Sequence, residues 1–308
     1  MNESSHEKKN KKSTATIGLS IMMVMVVLAI AIISLSNNNN NSIYNQRKTE
    51  DNSSLKTTSS SKKTENNAMC MPFTQQAAED LVTWLPGWSD TELPSCQYSG
   101  YIEVNDVDEY KYMVHYYLIE SENDPIVDPI ILWTNGGPGA SSMFGMMTEV
   151  GPFVLNEDSL TTEEYKRTGV PTLFRNEYSW TKMGNIVIFD WPPPVGFSYC
   201  NGNITGDGNS CGEWDDERMA KVSFAALQGL LEERFPNYLI QNNPLYLTGE
   251  SYAGVYVPKL AQQILNHFKP WPFKGLAVGT RKQILYIYYA LYLKKEIAIF
   301  YRRWMCRY

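Results

Sequence analysis

Histidine is scarce in this chain. Its 308 residues hold only His6, His115 and His267, and no two stand at a metal-ligand spacing such as H-x-x-x-H. A metal site built on paired histidines is not expected, and no cofactor is called for. The five cysteines include no C-x-x-C, no G-K-[ST] follows a glycine run, and there is no G-x-G-x-x-G. A phosphate-binding loop is therefore discounted. Cations are sparse over residues 68–279, which carry 11 Lys/Arg against 27 Asp/Glu, a net of −16. Such a block repels a phosphate backbone, so no nucleic-acid partner is expected. The same acidity suits a lumenal compartment at low pH. The flanks are basic, +4 over residues 1–67 and +6 over residues 280–308, which completes the chain's −6.

A hydrophobic content of 43% is that of a globular protein, and the length allows one large domain with accessories. Ile17–Leu35 is uncharged and mostly apolar. At about 1.5 Å per residue it spans roughly 28 Å, close to the hydrocarbon thickness of a bilayer. Lys8, Lys9, Lys11 and Lys12 precede it, and no Lys or Arg follows before Arg47. The positive-inside rule then predicts a cytoplasmic tail over 1–16 and a signal-anchor helix over 17–36, with everything after it across the membrane. A cleaved signal peptide is the rival reading, although its apolar stretch would be shorter and end in small residues. Residues 37–67, rich in Asn, Ser, Thr and Lys, read as a flexible stalk. Asn40, Asn52 and Asn203 begin N-x-[ST] triplets and are glycosylation candidates on a lumenal side. Cys200 and Cys211 bracket a Gly/Asn/Asp loop and are the best candidates for a bridge, whereas Cys70 and Cys96 read nearly as well as free small hydrophobes.

From Ala68 the composition becomes that of a folded block. Pro129–Trp133, Asn185–Phe189, Leu245–Thr248 and Gly275–Val278 read as buried strands, and Met219–Phe235 and Ala253–Phe268 as helices. Strands alternating with helices predict an α/β fold with a largely parallel sheet.

The chemistry concentrates in two glycine-bearing segments. Gly249-Glu250-Ser251-Tyr252-Ala253-Gly254 lies between a strand and a helix. A serine at such a bend presents its hydroxyl at the carboxyl end of the sheet, the geometry of a nucleophile elbow. The pattern departs from G-x-S-x-G, with Ala253 where the second glycine would be and Gly254 one later. Asn135-Gly136-Gly137-Pro138-Gly139-Ala140-Ser141-Ser142 follows an earlier strand and can turn backbone N–H groups toward that hydroxyl.

With these two segments, Glu149-Val150-Gly151-Pro152-Phe153 and Gly196-Phe197-Ser198-Tyr199 in view, the chain resembles the serine carboxypeptidase family over 68–279. The resemblance implies an α/β-hydrolase fold. It implies Ser251 as nucleophile, the backbone N–H groups of Gly137 and Tyr252 as oxyanion hole, and Asn135, Glu149 and Glu250 as the grip on the free carboxylate of a peptide or protein C-terminus. Two carboxyls beside a third repel unless protons are shared, so binding should favour acid pH. Ala140 stands where the family usually has Cys, and Pro193-Pro194 where Val-Gly or Val-Asn is usual, near the expected side-chain pocket.

Ser hydrolases of this fold continue Ser, Asp, His. After Ser251 there is no Asp, the sole acid is Glu296 and the sole histidine is His267, roughly 24 Å along the following helix. A packing or surface role is expected for His267, and no triad Asp or His is found. After Gly279 the resemblance stops, and residues 280–308 form a divergent basic, Tyr-rich tail. The tail reads as intron read-through or a frame error, or else as a genuine short isoform end. The expected fold is then an incomplete α/β-hydrolase lacking its last strands, with a buried sheet edge left open and an inactive or weakly active site. A membrane-tethered binder without catalysis and an acyltransferase on the same scaffold remain alternatives.

Overall fold

The computed structural model describes residues 70, 74–90, 92–105, 107–200, 211–267, 269–279 and 298–301. The expected signal anchor at 17–36, the stalk, and the acceptors Asn40, Asn52 and Asn203 lie outside the described residues. The chain divides into one unit of residues 1–67 with 84–86 and another of residues 68–83 and 87–308. The second unit carries the sheet.

Its strands are β1 (Leu81–Val82), β2 (Gln97–Val104), β3 (Tyr112–Ile119), β4 (Ile130–Thr134), β5 (Phe153–Val154), β6 (Phe174–Arg175), β7 (Asn185–Phe189), β8 (Tyr199–Cys200), β9 (Leu245–Glu250), β10 (Phe273–Gly279) and β11 (Ala298–Tyr301). The α-helices are α1 (Gln75–Glu79), α2 (Ser142–Gly145), α3 (Glu163–Thr168), α4 (Asp216–Gln228), α5 (Asn237–Ile240) and α6 (Ala253–Asn266). The large sheet runs β1-β2-β3-β7-β4-β9-β10-β11, with β8 on β3, and β5 and β6 form a separate pair. The β7-β4-β9-β10-β11 half is parallel and the β1-β2-β3 half antiparallel, with β3 antiparallel to β7 as well. The result is an α/β-hydrolase-like mixed sheet with a parallel core.

Strands β4 and β7 were legible because they are buried throughout. All five residues of β4 and all five of β7 are buried, so each reads as an unbroken apolar run. The antiparallel hairpin escaped the sequence reading for the opposite reason. Its strands QYSGYIEV and YMVHYYLI mix polar and aromatic residues that are nevertheless largely buried, so neither shows a clean period of two. Tyr98, Tyr112, Tyr116 and Tyr117 are almost wholly buried there.

Helix α4 begins at Asp216, three residues before the expected start, because the Asp215 carboxylate accepts the Arg218 N–H at 2.7 Å and caps it. It continues as a π-helical turn over Gly229–Arg234. A β-carbon at Gly229 would stand 2.6 Å from Ile102 of β2, so this close packing admits only glycine.

One expectation is corrected, and one reading left open is decided. The edge of β10 is not left open: β11, drawn from the divergent tail, pairs parallel to it from Gly275↔Ala298 to Val278↔Tyr301. An edge strand offers a free row of N–H and C=O groups that an extended segment of varied sequence can satisfy. Cys70 and Cys96 are not free: they are joined to each other, as Cys200 is to Cys211. Among the described residues no helix is long and apolar enough to cross a membrane.

Candidate active site

Strands β4 and β9 are parallel neighbours, with Thr134 opposite Gly249. Their carboxyl ends leave the sheet side by side, and the two glycine-bearing segments follow directly. A β-carbon at Gly136 would lie 2.3 Å from Tyr252 N and 2.9 Å from Ser251 Cβ. One at Gly249 would lie 2.4 Å from Thr134 O and 2.6 Å from Ala253 Cβ. Gly136 and Gly249 are thus contact points at which two backbones and the small Ala253 meet, so neither admits a side chain.

Ser251 sits between β9 and α6, outside the helix, with φ of +71°. Only one other non-glycine described residue, Asn242, has positive φ. Holding a side-chain-bearing residue there costs about 1–3 kcal/mol. The bend is fixed by its backbone: Ser251 N–H donates to Gly279 O at 2.9 Å, and Ser251 C=O accepts the Gly254 N–H at 3.0 Å. Ser251 is exposed.

The loop after β4 is held equally firmly. Asn135 is buried, and its Oδ1 accepts both Trp133 Nε1–H at 3.0 Å and Gly145 N–H at 3.1 Å. That fixes the amide so that Nδ2 donates to Glu250 Oε1 at 2.9 Å. Gly137 follows with φ of +109°, a conformation open to glycine. Ala140 N–H closes the turn on Gly136 O at 3.1 Å.

Glu149 lies in a π-helical turn, Met146–Val150, whose end is pinned by Asn176 Nδ2 donating to Glu149 O and Gly151 O at 3.0 and 2.8 Å. The residue as a whole is exposed, yet its carboxyl is raised above its ordinary pKa of 4.5, first by partial burial and second by the Glu250 charge. Glu149, Glu250 and Asn135 therefore form one electrostatically coupled group.

Beside Tyr252, the residue that follows Ser251, a cavity of about 520 Å³ opens. Its walls are Pro138 and Gly139, the run Pro192–Gly196, the start of α4 with Asp215 and Asp216, and Tyr252 and Tyr256 of the bend and α6. The Tyr252 hydroxyl donates to Asp216 at 3.1 Å. Burial pushes the Tyr256 hydroxyl up to about 12, opposed by the Gly139 amide. Among the described residues no Lys, Arg or His lines this space.

The expected site residues Asn135, Gly137, Glu149, Glu250, Ser251 and Tyr252 thus meet at the carboxyl end of the central parallel strands. His267 does not join them. It lies at the far end of α6, exposed, stacked on Phe224 with ring centres 4.2 Å apart, its Nδ1 2.9 Å from Gln263 O. Asp190, Ser141 and His115, by contrast, were not singled out and form a buried network beside the loop. Asp190 was signalled only by its place at the end of β7, before the proline run.

A family model described as serine carboxypeptidase matches residues 86–293. The match runs past Gly279, where the sequence reading ended the resemblance. The chain is 42% identical over 217 residues to "Serine carboxypeptidase-like 20" of Arabidopsis thaliana, covering 68% of this chain and 39% of that protein. It is 36% identical over 203 residues to the lysosomal protective protein of Mus musculus, covering 66% and 37%. Among solved structures it is similar to the crystal structure of a prohormone-processing carboxypeptidase from Saccharomyces cerevisiae, with 28% identity and a TM-score of 0.55 over 71% of this chain and 47% of that one. The chain thus spans less than half the length of these relatives. A family model covering most of the chain, relatives in plants and animals, and a shared fold agree: the chain belongs to the serine carboxypeptidase family.

Proposed function

We propose that these residues are the nucleophile-bearing part of a serine-type carboxypeptidase, which removes C-terminal residues from peptides through an acyl-enzyme at Ser251. The observation that carries this reading is the strained, exposed Ser251 on a strand-to-helix bend, packed against Gly136 of the glycine loop. In the proposed step Ser251 Oγ attacks the carbonyl carbon of the last peptide bond and loses its proton to a general base. The N–H groups of Gly137 and Tyr252 receive the oxyanion. The C–N bond breaks, the leaving amine takes the proton, and water then hydrolyses the ester.

Asn135, Glu149 and Glu250 hold the substrate's free carboxylate. A protonated Glu149 can donate to a carboxylate and an ionised one repels it, so binding weakens as pH rises through its raised pKa. The two disulfides fit an oxidising, secretory compartment, and the single-pass anchor at 17–36 belongs to the same proposal.

A base is the weak point. After Ser251 these 308 residues contain no Asp and only His267, which is engaged at the distant end of α6. We infer that the chain acylates slowly by itself. The second reading, a tethered protein that binds peptide termini without cleaving them, is favoured by the same observation, because the carboxylate-holding group is complete without a base. A fluorophosphonate probe at acid pH separates the two. Labelling of Ser251 that is lost in S251A supports the peptidase. Peptide binding that needs the free carboxylate, without labelling, supports the binder. Absence of both labelling and binding would remove both readings.

A further inference from the structure

We propose that Asp190 is a positioning residue for this site: its buried carboxylate, braced by His115, ties the glycine loop to the proline-rich wall of the cavity and so holds the oxyanion donors in place. The inference rests on the reading of Ser251 and Gly137 given above.

Asp190 directly follows β7, between the two loops that converge on Ser251, and is completely buried. Its Oδ1 accepts the Ser141 hydroxyl at 2.5 Å. Its Oδ2 accepts the Phe197 N–H at 3.1 Å and lies 3.0 Å from His115 Nδ1. Its backbone C=O accepts the Ser198 hydroxyl at 2.5 Å, and Ser198 Oγ in turn accepts the His115 N–H at 2.8 Å. At Gly196 a β-carbon would stand 2.3 Å from the Asp190 carboxyl, so the wall is closed onto the carboxylate and no side chain fits between. Asp190 therefore touches both flanks of the site. Ser141 ends the segment 135–141, and Phe197 ends the wall 192–197.

His115 completes the support. With Nδ1 protonated it donates to Asp190, and its Nε2 accepts the Ser99 hydroxyl at 3.0 Å. Ser99, His115 and Asp190 thereby copy the order nucleophile, base, acid, yet none of them lines the cavity beside Ser251. His115 is 2% exposed and packed by Tyr101 and Phe197. The imidazole props the carboxylate and does not meet substrate.

Such a support matters because oxyanion donors act only when held near the developing charge, within roughly 0.5 Å of the productive position. The loop's own internal ties are the Ala140 N–H bond to Gly136 O and the Asn135 N–H bond to Ser142 Oγ. The Ser141–Asp190 bond adds an anchor to the rest of the protein at the loop's far end.

The test uses the full chain with S141A, S141T and D190N. Phosphonylation of Ser251 by a fluorophosphonate is followed so that the maximal rate and the apparent affinity are resolved. Amide hydrogen exchange is read at Gly137, Gly139 and Ala140 and along α6. In S141A the maximal rate is expected to fall about tenfold with affinity within about twofold, as for a mis-set oxyanion donor. Exchange should quicken at the loop amides while α6 is unchanged. S141T, which keeps the hydroxyl, should restore both, and D190N should behave as S141A or worse. A protein weakened as a whole would instead exchange faster everywhere. Wild-type rate and wild-type loop exchange in S141A would overturn the proposal. Should wild-type Ser251 not react at all, the nucleophile reading falls, and the loop exchange alone decides whether Asp190 holds the loop.

Discussion

Replacing Ser251 by glycine should stabilise the protein while removing its reactive group. The cost being relieved is conformational: at φ of +71° the serine Cβ crowds its own backbone, and a non-glycine residue in such a region carries about 1–3 kcal/mol of strain. Against that stands the greater freedom glycine gains in the unfolded chain, about 0.4–1 kcal/mol. The difference favours the variant by about 1 kcal/mol. Little else is lost, because Ser251 is exposed and its N–H bond to Gly279 O and C=O bond from Gly254 are made by backbone that glycine retains. For a folded block of about 200 residues, 1 kcal/mol raises the melting temperature by about 2–4 °C. S251A is the control. It removes the hydroxyl equally but keeps the β-carbon, so its stability should stay within about 0.5 kcal/mol of wild type. Thermal unfolding of the three proteins under one condition decides the matter. If S251A gains as much as S251G, or S251G melts lower than wild type, the strain assigned to the bend is not there.

Three further outcomes are expected. G136A should destabilise by about 1–3 kcal/mol, because its β-carbon would press on Tyr252 N and Ser251 Cβ, and should slow fluorophosphonate labelling about a hundredfold as the loop is pushed off the bend; unchanged melting and labelling would contradict the close approach. Glu149 is raised above 4.5 in the folded state, so the stability linked to its proton is complete below pH 4.5 and is lost as pH rises through the folded value. E149Q should flatten that loss in melts at stepped pH and weaken the acid preference of peptide binding, and a pH profile identical to wild type would count against the coupling to Glu250. Opening the Cys200–Cys211 or the Cys70–Cys96 bridge, which close sequence separations of 11 and 26 residues, should each cost about 3 kcal/mol by loop entropy, read as a lower melting temperature in C200A and C96A; a change under about 1 kcal/mol would show the bridges to be energetically idle.

The chain's residues by themselves determined the parallel core and the bend. β4, β7, β9 and β10 are short, mostly apolar runs, and their length and the turn residues that flank them mark them as strands and not helices. Glycines at 136 and 249 mark a tight crossing of backbones, because nothing larger enters there. The tertiary structure decided what depends on partners distant in sequence. The β2–β3 hairpin is buried by contacts its own sequence does not encode as alternation. Cys70 found Cys96, and residues 298–301 found the edge of β10, through proximity that composition does not reveal. Asp190 is the clearest case. As a lone aspartate after a strand it is signalled by its place in the chain alone. It becomes the joint between two loops only because β3, β7 and β4 lie side by side, bringing His115, Asp190 and Ser141 within hydrogen-bond reach across 75 and 49 positions of chain. Local steric rules act within a few residues and can be read from the order of letters. The reach of a side chain to a distant partner exists only once the sheet has formed.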